Sequence, residues 1–208
     1  MTGHIFKADS QGIQQASQLI LQGGVVAFPT ETFYGLGADA GDVLALQKVF
    51  QIKGREENKP LLLLVADRAG VQGLVKKISP VADALIEKFW PGPLTLVFEA
   101  AVHLSPILTA KTGKVGLRVS GHPVAQALVQ AVGRAVTGTS ANLSGQPSPS
   151  LAAQVSRALG KKVDAILDGG KTAGGPGSTV LDVSAAWPKI IRRGAISQEE
   201  LAPFLEAG

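Results

Sequence analysis

Short apolar runs recur along this chain, and between them apolar residues fall at helical spacing. Runs of this length bounded by turn residues read as buried strands. They cover residues 25–28, 61–65, 94–98, 115–119, 135–137, 163–167, 179–183 and 190–192. The intervening helices carry their own signals. The first is capped by Ser10, turns Ile13, Ala16, Leu19 and Ile20 inward, and stops at Gly23-Gly24. The second carries Val43, Leu46, Val49 and Phe50 and ends close to Lys53-Gly54. The third starts at Ser79-Pro80, with proline where the first helical N–H needs no partner, and ends at Trp90-Pro91-Gly92-Pro93. Further helices span 123–132 and run from Ser150 to Leu159, and a last one opens at Ser197 with Glu200 three residues on, a capping box. Helix–strand alternation predicts an α/β fold. Several strands follow one another with no helix between, so the sheet is expected to be mixed, with flanking helices.

The chain has 208 residues, 45% hydrophobic and 17% charged, enough to bury a sizeable core. No linker or composition shift divides it, so one domain over 1–208 is expected. The longest apolar runs, such as 61–66, are far too short to cross a bilayer. Residues 1–7 lack the basic-then-apolar plan of a signal peptide, which points to the cytoplasm. The absence of cysteine excludes disulfides, thiolate nucleophiles and cysteine metal sites. The net charge of +4 is mild. Its basic residues recur as Lys48, Lys53, Arg55 and Lys59, then Lys111, Lys114 and Arg118, then Arg192 and Arg193. Either they converge on an anionic ligand or they are scattered, solvated charge.

Four polar islands stand out. Pro29-Thr30-Glu31-Thr32-Phe33-Tyr34-Gly35-Leu36-Gly37 follows the strand at 25–28, so polar groups and pliable backbone lie at its carboxyl edge, where α/β sheets bind ligands. Lys53-Gly54-Arg55, with Lys59 nearby, either clamps a phosphate or is a solvated helix end favoured by the dipole. Ser140-Ala141-Asn142, extended by 144–149, either donates to phosphate or base edges or closes a turn on its own backbone. Ser178-Thr179-Val180 and Arg192 make the fourth. Arg118, inside an apolar strand, must face a cleft or pair with an acid, since a buried unpaired charge is costly. Arg192 and Arg193 are sent to opposite faces by strand alternation. The loop 169–177, with five glycines in nine positions, is a mobile lid or a flexible connector. There is no Gly-x-x-x-x-Gly-Lys-Ser/Thr phosphate loop, and no third glycine completes a dinucleotide fingerprint at Gly35-Leu36-Gly37. His4, His103 and His122 offer no clear base to Ser140; His122 precedes Pro123 and suits a helix start.

Taken in order, Pro-Thr-Glu-Thr-x-Tyr-Gly-Leu-Gly, Lys-x-Arg, Lys-Pro-Leu, Trp-Pro-Gly-Pro-Leu-Thr, Leu-Arg-Val, Ser-Ala-Asn-x-Ser-Gly and Ser-Thr-Val-x-Asp resemble the YrdC-like (TsaC) threonylcarbamoyl-AMP synthases. The resemblance runs from the first helix to about Gly194 and suggests the short form. It implies an open, twisted α/β sheet around a basic cavity. It also implies condensation of L-threonine, bicarbonate and ATP into threonylcarbamoyl-AMP and pyrophosphate, for a tRNA-modifying transfer complex acting at adenosine 37.

By that resemblance Lys53, Arg55, Ser140 and Asn142 form a catalytic tetrad around the nucleotide. Arg55, Lys59, Ser140, Asn142, Ser148 and Arg192 would bind ATP, and Thr32, Arg118 and Ser178 would bind threonine, with Arg118 on its carboxylate. Leu64 replaces a histidine, and Lys114 a threonine, of some relatives. Mg²⁺ is expected to arrive with ATP, held by phosphates and water, with no protein metal motif needed. Two rival readings are a double-stranded RNA or rRNA binder with a basic concave surface, whose binding would be salt-sensitive, and a relative that carbamoylates another amine.

Overall fold

The computed structural model describes residues 4–54 and 60–205. In chain order the elements are β1 (His4–Lys7), α1 (Ser10–Leu21), β2 (Val26–Pro29), β3 (Tyr34–Gly37), α2 (Val43–Lys53), β4 (Leu62–Leu64), α3 (Pro80–Phe89), β5 (Leu94–Glu99), α4 (Pro106–Thr109), β6 (Lys114–Arg118), α5 (Pro123–Val132), β7 (Val136–Thr137), β8 (Thr139–Ser140), α6 (Ala152–Leu159), β9 (Ala165–Asp168), β10 (Thr179–Asp182), β11 (Lys189–Arg192) and α7 (Gln198–Leu205). The strands divide between two mixed sheets. One runs β1-β9-β2-β3-β8 and the other β11-β10-β5-β6-β4-β7. In the first, β9 is parallel to β1 and β2, and β3 is antiparallel to β2 and β8. In the second, β10 runs parallel to β5, and β6 parallel to β4, around the antiparallel β5–β6 pair.

The mixed α/β character expected from the sequence is present, with differences at the ends of elements. Asp9 caps α1, its carboxylate accepting from Gly12 N, so the cap lies one residue before Ser10. At α6 the Gln154 side chain accepts from the N–H groups of Ser150 and Leu151, so the polar cap comes from inside the helix rather than from Ser150. Ser79 caps α3, and Ser197 with Glu200 forms the reciprocal box at α7, as their spacing predicts. The strands β1, β3 and β8 escape the sequence reading. Two of the four residues of β3 are glycines, yet all four are buried because they pair on both sides.

Strand alternation sorts side chains between cores. Val26 and Phe28 of β2 pack against α1 and α5, while Ala27 joins the larger core on the other face. In the second sheet Leu94, Leu96 and Phe98 of β5, and Val115, Leu117 and Val119 along β6, enter that larger core. Each fully buried leucine there contributes roughly 1.5–3 kcal/mol. The alternate residues, Thr95, Val97, Lys114, Gly116 and Arg118, are thereby forced onto the opposite face.

One segment joins the sheets: β7 pairs with β4 in the second sheet and β8 with β3 in the first, with Gly138 between them. The fully buried Thr137 hydroxyl donates to Leu36 O at 2.7 Å and accepts from Ala38 N at 3.0 Å. A Cβ on Gly138 would sit 2.8 Å from Leu64 Cγ. Gly138→Ala therefore overpacks the junction and should cost about 1–3 kcal/mol. A lowered urea midpoint at unchanged slope is the expected result; an unchanged midpoint would show that the junction tolerates a methyl.

Candidate active site

The cavity between the two sheets has a volume of about 1050 Å³. Ligand pockets usually fall in the range of roughly 300–1,000 Å³, so this one has room for more than one small molecule. Its floor is the face of the second sheet that alternation leaves outside the core: Thr95 and Val97 of β5, Lys114, Gly116 and Arg118 of β6, Val180 and Asp182 of β10. Its walls are the hairpin turn of the first sheet, with Thr30 and Thr32, and the loop after β8, with Ser140, Asn142 and Ser148. Thr32, Lys53, Arg118, Ser140, Asn142, Ser148, Ser178 and Arg192, chosen from the sequence, all line this one cavity. Arg55 and Lys59 lie outside the described residues. Leu64 does not line the cavity; it is fully buried in the smaller core. Lys114 does line it, paired with Asp182 at 2.8 Å. Burial alone would raise the Asp182 carboxyl, but the bonds from Lys114 and Ser184 outweigh it and hold it below the usual carboxylate range.

Lys53 is the last residue of α2, which stops because Gly54 takes the left-handed conformation at φ 57°. That stop aims a buried ammonium at the loop after β8. Lys53 Nζ donates to Ser140 O at 2.5 Å, Asn142 O at 3.0 Å and Asn142 Oδ1 at 3.2 Å. Ser140 Oγ donates to the same Asn142 Oδ1 at 2.6 Å, and Asn142 Nδ2 donates to Gln146 O at 2.5 Å. Lys53 is buried rather than solvated; it lines the cavity and also shapes the loop that carries Ser140 and Asn142. Charge-assisted bonds of this kind are about twice as strong as neutral ones.

Arg118 is 3% exposed and satisfies both of its alternatives. It faces the cavity, and its nearest acid is Glu31, with Oε1 3.6 Å from Nε. Burial lowers its pKa, Glu31 opposes that, and Arg192 reinforces it. Arg192 Nη2 donates to Ser178 O at 2.8 Å and to Ser178 Oγ at 3.0 Å, and that hydroxyl lies 2.9 Å from Thr95 Oγ1. Arg193 turns away to Gln198, as alternation requires. Thr95, Glu31 and Asp182 were not picked out as site residues. The signal for Thr95 was its place on the same face as Gly116 and Arg118; for Glu31 it was the need of a buried arginine for an acid.

The loop 169–177 is tied down. Tyr34 OH donates to Gly170 O at 2.8 Å, Thr172 N to Ser150 O at 2.9 Å, Gly174 N to Thr32 O at 2.7 Å, and Ala195 N to Gly177 O at 2.8 Å. No described histidine lines the cavity; His122 caps α5, its Nδ1 accepting from Val124 N.

Fold and cavity together define a two-sheet α/β protein with a ligand-sized cleft between its sheets. The model of the Sua5/YciO/YrdC family, described as "Telomere recombination", matches residues 18–194, and the chain belongs to that family. It is 40% identical to the threonylcarbamoyl-AMP synthase of Bacillus subtilis over 91% of this chain, spanning 55% of that protein. It is 36% identical to the threonylcarbamoyl-AMP synthase of Nitrosococcus oceani over 78% of this chain and 89% of that one. The crystal structure of Pyrococcus abyssi Sua5 complexed with L-threonine superposes with a TM-score of 0.94 at 35% identity, over 99% of this chain and 61% of that one. The chain thus spans little more than half the length of some of its relatives. No helix among the described residues is long and apolar enough to cross a membrane.

Tyr34 gives a direct probe of the site. Burial, then the charge of Asp168, push its hydroxyl up to about 12. Against about 10 in an unfolded chain, the folded state holds this proton more tightly. Its contribution to stability is therefore complete below about pH 10 and is lost as the pH rises toward 12. Tyr34 is the one tyrosine in the sequence, so phenolate absorbance reads it alone. The folded protein should titrate near 12 and the denatured protein near ~10; coincident curves would mean that the hydroxyl is solvated.

Proposed function

We propose that this chain condenses L-threonine, bicarbonate and ATP into threonylcarbamoyl-AMP and pyrophosphate. The carrying observation is that one cavity brings together the buried guanidinium of Arg118, among the hydroxyls of Thr32, Thr95 and Ser178, and the Lys53-tied loop of Ser140 and Asn142. The names of its relatives support the same reading, as does the relative that holds L-threonine. In this reading Arg118 takes the threonine carboxylate, and Thr32 and Ser178 take its polar groups. Ser140, Asn142, Ser148 and Arg192, with Arg55 and Lys59, take the triphosphate.

The reaction asks little of any side chain as a nucleophile. The threonine amine attacks the carbon of bicarbonate, and loss of water leaves a carbamate. A carbamate oxygen then attacks the α-phosphorus of ATP; the bond from that phosphorus to the bridging oxygen breaks and pyrophosphate leaves. What the protein supplies is proximity, fixed orientation and donors for developing phosphate charge. The described charged groups lining the cavity are Lys53, Lys114, Arg118 and Arg192 against Asp182, an excess of cations that suits two anionic substrates. Mg²⁺ would come with ATP. The described residues hold no cluster of three or more metal-ligating side chains, so phosphate and water oxygens would be its ligands. The adenylate would pass to a tRNA-modifying transfer complex in the cytoplasm. Plain RNA binding would not require this hydroxyl-lined pocket around a buried arginine.

Pyrophosphate release with Mg-ATP and bicarbonate should depend on L-threonine, with the adenylate visible by mass spectrometry. Release that ignores threonine, or follows another amine better, would overturn the substrate assignment. Arg118→Ala should raise the threonine KM about tenfold or more, the scale of a lost charge-assisted hydrogen bond. Lys53→Ala, by loosening the loop, should lower kcat about 100-fold. Unchanged kcat in that folded variant would remove Lys53 from the account.

A further inference from the structure

Arg118 Nε and Glu31 Oε1 are buried and face each other, yet neither has a hydrogen-bond partner among the described residues. At 3.6 Å they form an ion pair just outside hydrogen-bond reach. The reason lies with the other carboxylate oxygen. Glu31 Oε2 accepts from Ser120 Oγ, two residues beyond Arg118. Ser120 is itself buried, and its Oγ also accepts from His122 N at 3.3 Å, at the start of α5. The carboxylate is thus held from one side by a fixed hydroxyl and presents its second oxygen to the guanidinium. Glu31 belongs to the hairpin turn of the first sheet, and Arg118 and Ser120 to the β6 end of the second, so the contact spans the cavity's two walls.

This geometry has a consequence for the guanidinium. With Nε turned to Glu31, the two Nη groups are the edge left to the cavity that Arg118 lines. A planar fork recognises a carboxylate through two parallel bonds, and only in a fixed orientation. Burial works against the charge of Arg118, and Arg192 adds repulsion; Glu31 is the acid that opposes both. A glutamine at 31 could keep the bond to Ser120 but would supply no countercharge. An aspartate would be one methylene short of holding both groups.

We propose that Glu31 is a positioning residue for the amino-acid carboxylate: it holds the Arg118 fork in a fixed orientation, and so sets affinity for that substrate without touching it. The proposal rests on the synthase reading above.

The test is steady-state kinetics of pyrophosphate release, varying L-threonine and ATP separately, with thermal unfolding measured alongside. Glu31→Gln should raise the threonine KM about tenfold, the scale of a misaligned charge-assisted pair, while the ATP KM and melting temperature stay near wild type. In an Arg118→Lys background the same substitution should add little, because the fork is already gone. A threonine KM within about twofold of wild type would overturn the proposal. So would a joint rise of both KM values with a fall in melting temperature, or an undiminished effect in the Arg118→Lys background. If Glu31→Gln does not fold, Ser120→Ala, which releases the clamp and leaves both charges, should raise the threonine KM by a smaller factor that again vanishes with Arg118→Lys; no rise would overturn the role. A wild-type protein that shows no threonine-dependent release would overturn the synthase reading and this role together, whereas the variant outcomes above overturn only the role.

Discussion

A short piece of chain belongs to both sheets. Residues 136–140 leave the second sheet as β7 and arrive in the first as β8, beside the cavity between them. The buried Thr137 hydroxyl sews the crossing to the backbone of β3 and of the residue after it. Gly138 lets it pass against Leu64 where no side chain would fit. Its far end is fixed by the ammonium of Lys53, which binds the carbonyls of Ser140 and Asn142. A lysine that looks from the sequence like a ligand clamp is therefore first a structural part: the shape of the loop is paid for by burying its charge.

Arg118 shows how a strand pattern becomes chemistry. Val115, Leu117 and Val119 claim one face of β6 for the core, so Gly116 and Arg118 are left on the other. That face would be exposed in a lone sheet. Here the first sheet closes over it, and the guanidinium becomes a buried charge that needs an acid. Glu31 supplies it from across the cleft. The same arithmetic puts Thr95 beside Ser178, and Asp182 beside Lys114, at intervals along the floor.

Much of this was legible in the sequence, and the failures have physical causes. The cavity-facing set of Thr32, Lys53, Arg118, Ser140, Asn142, Ser148, Ser178 and Arg192 was found partly because polar residues in apolar strands, or at the ends of strands and helices, need a reason to be there, and partly through the resemblance to the synthase family. The opposed directions of Arg192 and Arg193 followed from period-two alternation. The division into two sheets was not legible, because strand pairing depends on partners distant in sequence, and β7–β8 is too short to show any periodicity. β3 was hidden by its glycines, whose burial comes wholly from neighbours on both sides. Lys53 read ambiguously because two of its acceptors are backbone carbonyls, which leave no mark on composition.

The measurement that bears most directly on the central claim is a crystal structure of this chain with L-threonine and a non-hydrolysable ATP analogue. The account predicts both ligands between the two sheets, with the amino-acid carboxylate on Arg118 and the phosphates against the loop of Ser140 and Asn142. Threonine bound away from Arg118, or a nucleotide bound outside the cavity, would contradict it.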